Sequence, residues 1–337
     1  MLRWLNKAIK KNKTQKVITT TTQPATAPRR PLAYEAMIEN SKSARPRFLV
    51  LSGCQSKMIA GFLEILTLGQ ASYHFFSIKK VEAFSKDGWK EYQADLDNAD
   101  FIYTQKKQIA DFLLSQDRYK DKVFYFPVIN CAFFHPDIAY MQHNGERLVG
   151  PMGDYHSILI TAAYFAGFTQ QQTLAFFKPE VYKLLGFDVK KDKERAALLS
   201  RFANEGIDLS SCMTRWDCEG QWMRTVNHPT RRVIYEVVQK VLIRDDIEIV
   251  NHSPSLVDWV EDDLARSAEW PLYPKDGDNS LLIFKSPYAG LGKGIYFDLN
   301  KFIEYSFASL ILVEKNKLSV NGCRLDDVIN SLKNVNQ

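Results

Sequence analysis

The sequence predicts an α/β fold: an open, mainly parallel sheet with flanking helices, a first strand–helix turn like a nucleophile elbow, and a helical C-terminal half. Three observations predict it. Short apolar runs alternate with stretches of helical spacing between Phe48 and Phe126, the rhythm of a parallel sheet. The first run stops at Gly53 and a helix follows almost at once. Beyond Pro151 the helical spacing dominates.

Each element has its own signal. Phe48-Leu49-Val50-Leu51 reads as the first strand, and Met58, Ile59, Phe62, Ile65 and Leu66 give residues 57–68 a helical stripe. Residues 73–78 read as a second strand. Residues 100–104 read as a third, with a helix running to about Ser115. Residues 123–126 read as a fourth, stopped by Pro127. Further on, residues 157–166 form an apolar helix ended by Gly167. Helices follow over 171–177, 179–185 and 193–203, and another spans 231–243 after Pro229 and Thr230. Residues 270–298 are rich in Gly and Pro and read as a long ordered loop. A last helix covers 299–312.

The chain has 337 residues, of which 45% are hydrophobic and 25% charged, so it can bury a large core. That excludes a disulfide-stapled miniprotein, a collagen and a wholly disordered chain. No run approaches the roughly 18 apolar residues of a membrane span. The net charge is +5, yet Arg3, Lys7, Lys10, Lys11, Lys13, Lys16, Arg29 and Arg30 all precede the first acidic residue, Glu35. The globule is therefore slightly acidic, and no nucleic-acid partner is expected. Residues 1–46 read as a basic tail and flexible linker, 47–315 as a single α/β catalytic domain with helical insertions, and 316–337 as a C-terminal extension. Residues 1–16 could form a basic amphipathic helix that touches the inner membrane or assembly proteins. Five cysteines (Cys54, Cys131, Cys212, Cys218 and Cys323), an odd and widely spaced set, point to a reducing, cytoplasmic setting. Histidines and carboxylates lack metal-ligand spacing, and no metal is expected.

The sharpest chemical feature is the turn Ser52-Gly53-Cys54-Gln55-Ser56. Ligands of open α/β sheets bind outside the carboxyl ends of the strands. There, the free N–H groups of the first helical turn and the helix dipole would lower the pKa of Cys54, with Lys57 adding to this if it turns inward. Those N–H groups could also receive an oxyanion. A thiolate nucleophile needs a base or an orienting partner, and His135, His156 and His228 all lie in loops or at helix starts. His228 precedes Pro229 and is held extended. Arg231 and Arg232, at a helix N-terminus beside it, suit an anion. Gly290-Leu291-Gly292-Lys293-Gly294 lacks the spacing of a phosphate-binding loop and reads as a turn.

With these segments in place, the chain resembles the WcbI-like family of capsular polysaccharide biosynthesis proteins. The matching pieces are Leu51-Ser52-Gly53-Cys54-Gln55, the segment from Phe126-Pro127 to His135-Pro136-Asp137, Asp154-Tyr155-His156-Ser157, and Asn227-His228-Pro229. They run in that order over about residues 47–245. The family pattern is Gly-Asn-Cys-Gln. Here Ser52-Gly53 precede Cys54, so Ser52 or a backbone group has to stand in for the asparagine.

The resemblance implies a coenzyme A-binding protein that uses acetyl-CoA to O-acylate a sugar of a surface polysaccharide. Cys54 would be the nucleophile and His228 the base, with His135 and His156 as the next choices. Contacts to CoA would fall to Gln55, Lys57, Tyr155, Ser157, Arg231 and Arg232. Trp216, Trp222, Tyr155 and Trp270 are candidate platforms for the sugar. Two other readings remain open: a Cys/His thioesterase or esterase with water as acceptor, and a non-catalytic scaffold of a membrane-associated assembly complex.

Overall fold

Strand β1 (Arg47–Ser52) is buried along five of its six residues, as a central strand covered on both faces must be. The computed structural model describes residues 45–274, 277–287 and 295–335. The basic tail, its linker and the Gly290–Gly294 stretch lie outside the described residues. From β1 the chain runs through helix α1 (Ser56–Thr67), β2 (Gln70–Phe75), α2 (Ile78–Phe84), α3 (Gln93–Asn98), β3 (Phe101–Thr104), α4 (Lys107–Leu114) and β4 (Val123–Tyr125). These strands form one parallel sheet in the order β2-β1-β3-β4. The α/β fold with a parallel sheet is thus the one expected.

Two layers enclose that sheet. On one face Phe48, Val50 and Tyr103 pack with Phe62 of α1 and with Trp216, Val237 and Val238 from later helices. On the other, Leu49, Leu51 and Ile102 pack with Phe76, Phe84 and Leu113. The second strand begins three residues earlier than its sequence suggests. Gln70 pairs with Arg47 and Phe75 with Ser52. Ser77 then caps α2 by accepting from the N–H of Lys80, which puts Ile78 in a helix.

After β4 the sequence hid a small antiparallel sheet. Strands β5 (Ile138–His143), β6 (Glu146–Arg147) and β7 (Tyr155–Ser157) come next, with β5 pairing both others. The helical half follows: α5 (Ile158–Ala166), α6 (Gln170–Leu174), α7 (Pro179–Leu184), α8 (Phe187–Ala203), α9 (Ser210–Glu219) and α10 (Arg231–Arg244). Helix α8 starts at Phe187, well before the expected Lys193, because Gly186 takes the left-handed conformation that lets the chain turn into it. Helix α9 had no sequence expectation.

The region read as a long loop also holds strands. β8 (Ile283–Ser286) pairs antiparallel with β9 (Ile295–Asp298), which leads into α11 (Leu299–Leu310). Within 316–337, β10 (Leu318–Val320) pairs with β5, and α12 (Leu325–Val335) buries Ile329 and Leu332 in the core shared by α5 and α11. Among the described residues no helix is long and apolar enough to cross a membrane.

Candidate active site

The chain leaves β1 for β2 on one side and then crosses to β3 on the other, so the strand order reverses beside β1. A crevice outside the carboxyl ends of β1 and β3 is where an open α/β sheet takes its ligand. The turn after β1 lies there. Ser56 N–H donates to Gly53 O at 3.1 Å, and Cys54 sits two residues before the start of α1.

Cys54 is half-buried and gripped by Asn227. The Asn227 Nδ2 donates to Sγ at 3.7 Å, and the thiol faces Asn227 O at 4.0 Å. The N–H groups of Cys54 and Gln55 also favour a thiolate, as does the Lys106 ammonium. Burial is nevertheless the larger effect, and it pushes the Cys54 thiol up. The expected helix-terminal donors are present, but the expected lowering is overturned by desolvation. Lys57 does not help: it turns outward to Glu261 at 2.8 Å and Asp263 at 2.7 Å.

The turn is held by buried amides. Gln55 Nε2 donates to Ile129 O (2.8 Å) and Asn227 O (3.0 Å), and its Oε1 accepts from Gln105 Nε2 (3.0 Å). Ser52 Oγ donates to Gln105 Oε1 at 2.6 Å. Ser52 therefore does not stand in for the missing asparagine. That contact to the sulfur comes from Asn227, 173 residues away. Gln55, expected to touch the cofactor, has its amide engaged by the protein.

From Asn227 a chain of hydrogen bonds reaches His228. The Tyr155 hydroxyl donates to Asn227 Oδ1 at 2.7 Å and lies 3.3 Å from His228 Nε2. With its proton committed to Asn227, the tyrosine oxygen accepts from Nε2–H. His228 Nδ1 is then a bare, buried nitrogen with no hydrogen-bond partner among the described residues. Burial, helped by Arg224, pushes the His228 pKa down to about 4, so its ring is neutral at physiological pH. Tyr140, hydrogen-bonded to Tyr155, completes the wall beside Cys54.

The structure does not link the other expected residues to the thiol. His135 Nε2 bonds Met223 O at 3.1 Å and ties two loops together, and burial holds its pKa down to about 4. His156 follows Tyr155 on a strand, so its ring points to the opposite face. There it donates to Leu148 O (3.1 Å) and packs so closely on Gly150 that a Cβ would come within 2.9 Å of the ring. Ser157 caps α5 through Ile160 N–H. Beside it, buried Asp137 accepts from Leu159 N–H and from Tyr273.

The basic helix start is also spoken for. Arg231 pairs with Asp258 (3.0 Å) and Asp262 (3.5 Å), and Arg232 with Glu219 (3.6 Å). The tryptophans offered as sugar platforms are all buried. Trp216 donates to Glu236, Trp222 to Asp217 and Trp270 to Tyr273. Tyr155 is buried too, but beside the thiol. Sequence reasoning missed Asn227, Tyr140 and Lys106. The signal for Lys106 was its place just after the third strand, at the reversal of strand order. Tyr140 carried no signal.

A family model described as "Polysaccharide biosynthesis enzyme WcbI" matches residues 47–248, more than half of the chain. The match spans β1 through α10 and so contains Cys54, Lys106, Tyr140, Tyr155, Asn227 and His228. Searches of curated proteins and of solved structures gave no match.

Proposed function

The chain belongs to the WcbI family of polysaccharide biosynthesis enzymes, and we propose that it is a CoA-dependent O-acyltransferase that acylates a sugar hydroxyl through Cys54. The observation that carries this reading is the half-buried thiol at the strand-order reversal, connected through Asn227 and Tyr155 to a neutral His228. Cys54 Sγ adds to the thioester carbonyl of the acyl donor. The bond from that carbonyl to the CoA sulfur breaks, and CoA leaves as a thiol with the proton given up by Cys54. Exchange of one thioester for another is near thermoneutral. The acceptor hydroxyl then attacks the acyl-cysteine. Its proton passes to the departing sulfur, which restores the thiol.

The residues around the sulfur suit this chemistry. The N–H groups of Cys54 and Gln55 favour negative charge on the sulfur. The neutral His228 holds the Tyr155 oxygen through Nε2–H, which keeps Tyr155 and Asn227 in place beside the thiol. Arg231 and Arg232 are paired with carboxylates, so this reading does not rely on them for binding the donor.

Intact-mass measurement after mixing the protein with acetyl-CoA tests the reading, with Cys54→Ser beside it. An acetyl adduct on the wild type alone is expected. Steady release of CoA without any sugar would instead identify water as the acceptor and make the protein a thioesterase. No adduct, no CoA release and no thermal shift with CoA would remove the acyltransferase reading.

A further inference from the structure

Lys106 is half-buried at the start of α4, on the carboxyl side of β3. Its Nζ reaches across the crevice to Gly53: a Cβ built there would lie 3.5 Å from it. A glycine before the cysteine thus leaves the ammonium a clear line to the turn. Among the described residues Lys106 Nζ has neither an ion-pair nor a hydrogen-bond partner. The neighbouring Lys57, Arg224, Arg231 and Arg232 are all neutralised by carboxylates. We infer that Lys106 is the electrostatic partner of Cys54, an ammonium whose charge stabilises the thiolate at the moment of attack.

The other groups facing Cys54 cannot do this. Tyr140 from β5 is pushed up to about 12 by burial, and Tyr155 from β7 is pushed up further. Both stay neutral across the working range. His228, behind Tyr155, is neutral above about pH 4. Asn227 carries no charge. Arg147 lies behind Tyr140, with its guanidinium 4.6 Å over that ring and 3.7 Å from Asp154. On the cysteine's own element, Lys57 is turned away to Glu261 and Asp263. Among the described residues, the cation that acts on the sulfur is Lys106.

The inference rests on Cys54 as the reactive thiol but not on the identity of the acyl donor. Alkylation by iodoacetamide therefore tests it alone. The full chain is alkylated between pH 6 and 10 and the Cys54 peptide quantified by mass spectrometry, with exposed Cys218 as the internal reference. In Lys106→Met the Cys54 rate at pH 7 should fall about tenfold, the loss expected when one nearby positive charge is taken from a thiolate. Lys106→Arg should restore most of it, and Cys218 should react equally in every variant. Identical profiles for wild type and Lys106→Met would overturn the inference, as would Lys106→Arg reacting as slowly as Lys106→Met. Lys106→Gln, which keeps the stem and a polar end, repeats the test should Met perturb the fold. A shifted profile without any acetyl adduct would keep this inference and remove the acyltransferase reading, and the reverse result would separate them equally well.

Discussion

Replacing Gln55 by Met keeps the volume of a fully buried side chain and removes its amide. Three good hydrogen bonds disappear, those to Ile129 O, Asn227 O and from Gln105 Nε2. A net contribution of about 1 kcal/mol each gives about 3 kcal/mol. Gln105 Nε2 keeps only its longer contact to Pro127 O at 3.3 Å, and Ile129 O loses its 2.8 Å donor. Leaving such buried groups short of partners adds about 1 kcal/mol or more. The expected loss is about 4 kcal/mol, read by urea denaturation or as a melting temperature lowered by about 8 °C. A second readout follows from geometry. Gln55 anchors the carbonyl of Asn227, whose amide touches Cys54, so alkylation of Cys54 should change as well. A loss below about 1 kcal/mol in the ligand-free protein would refute this reasoning and return Gln55 to the role of a ligand contact.

The histidine contribution to stability should be lost as pH drops from 6.5 to 4. Over that window the unfolded chain protonates histidines that the fold holds neutral, His135 and His228 both being pushed down to about 4. The two together are worth several kcal/mol at the acid end, at about 1.4 kcal/mol per tenfold change in proton affinity. His135→Gln should lose part of the slope relative to wild type in urea midpoints at pH 7, 5.5 and 4.5, and an unchanged slope would contradict the assignment. Lys57→Met should cost less than about 1 kcal/mol, because its two ion pairs are partly exposed. It should also leave Cys54 alkylation unchanged. A tenfold slower reaction would mean that Lys57 turns inward after all.

What the sequence disclosed divides along the distance over which the physics acts. The parallel unit was legible because each strand is an apolar run followed by a stretch of helical spacing, and its strands pair at separations of 21 to 53 residues. Strands β5, β7 and β10 were not. Ile138–His143 finds its partners at Tyr155–Ser157 and at Leu318–Val320, and no local period encodes a pairing with a segment 177 residues on. Cys54 was legible for the first reason, since a tight turn between an apolar run and a helix places it at the crevice without any distant contact.

Its partners were illegible for the second. In Asn227-His228-Pro229 the proline holds the chain extended, and neighbouring side chains of extended backbone point opposite ways. The sequence therefore singles out the segment but not which residue faces the thiol. Asn227 does, while His228 reaches it only through Tyr155. The same limit governs charge. Lys57 and Lys106 both stand at the start of a helix beside the crevice, and each could have met the sulfur. Glu261 and Asp263, brought up from 204 and 206 residues later, draw Lys57 away. Lys106 has no described carboxylate to claim it. In a crevice built this way, the group left free to act on the nucleophile is chosen by where the counter-ions come to rest.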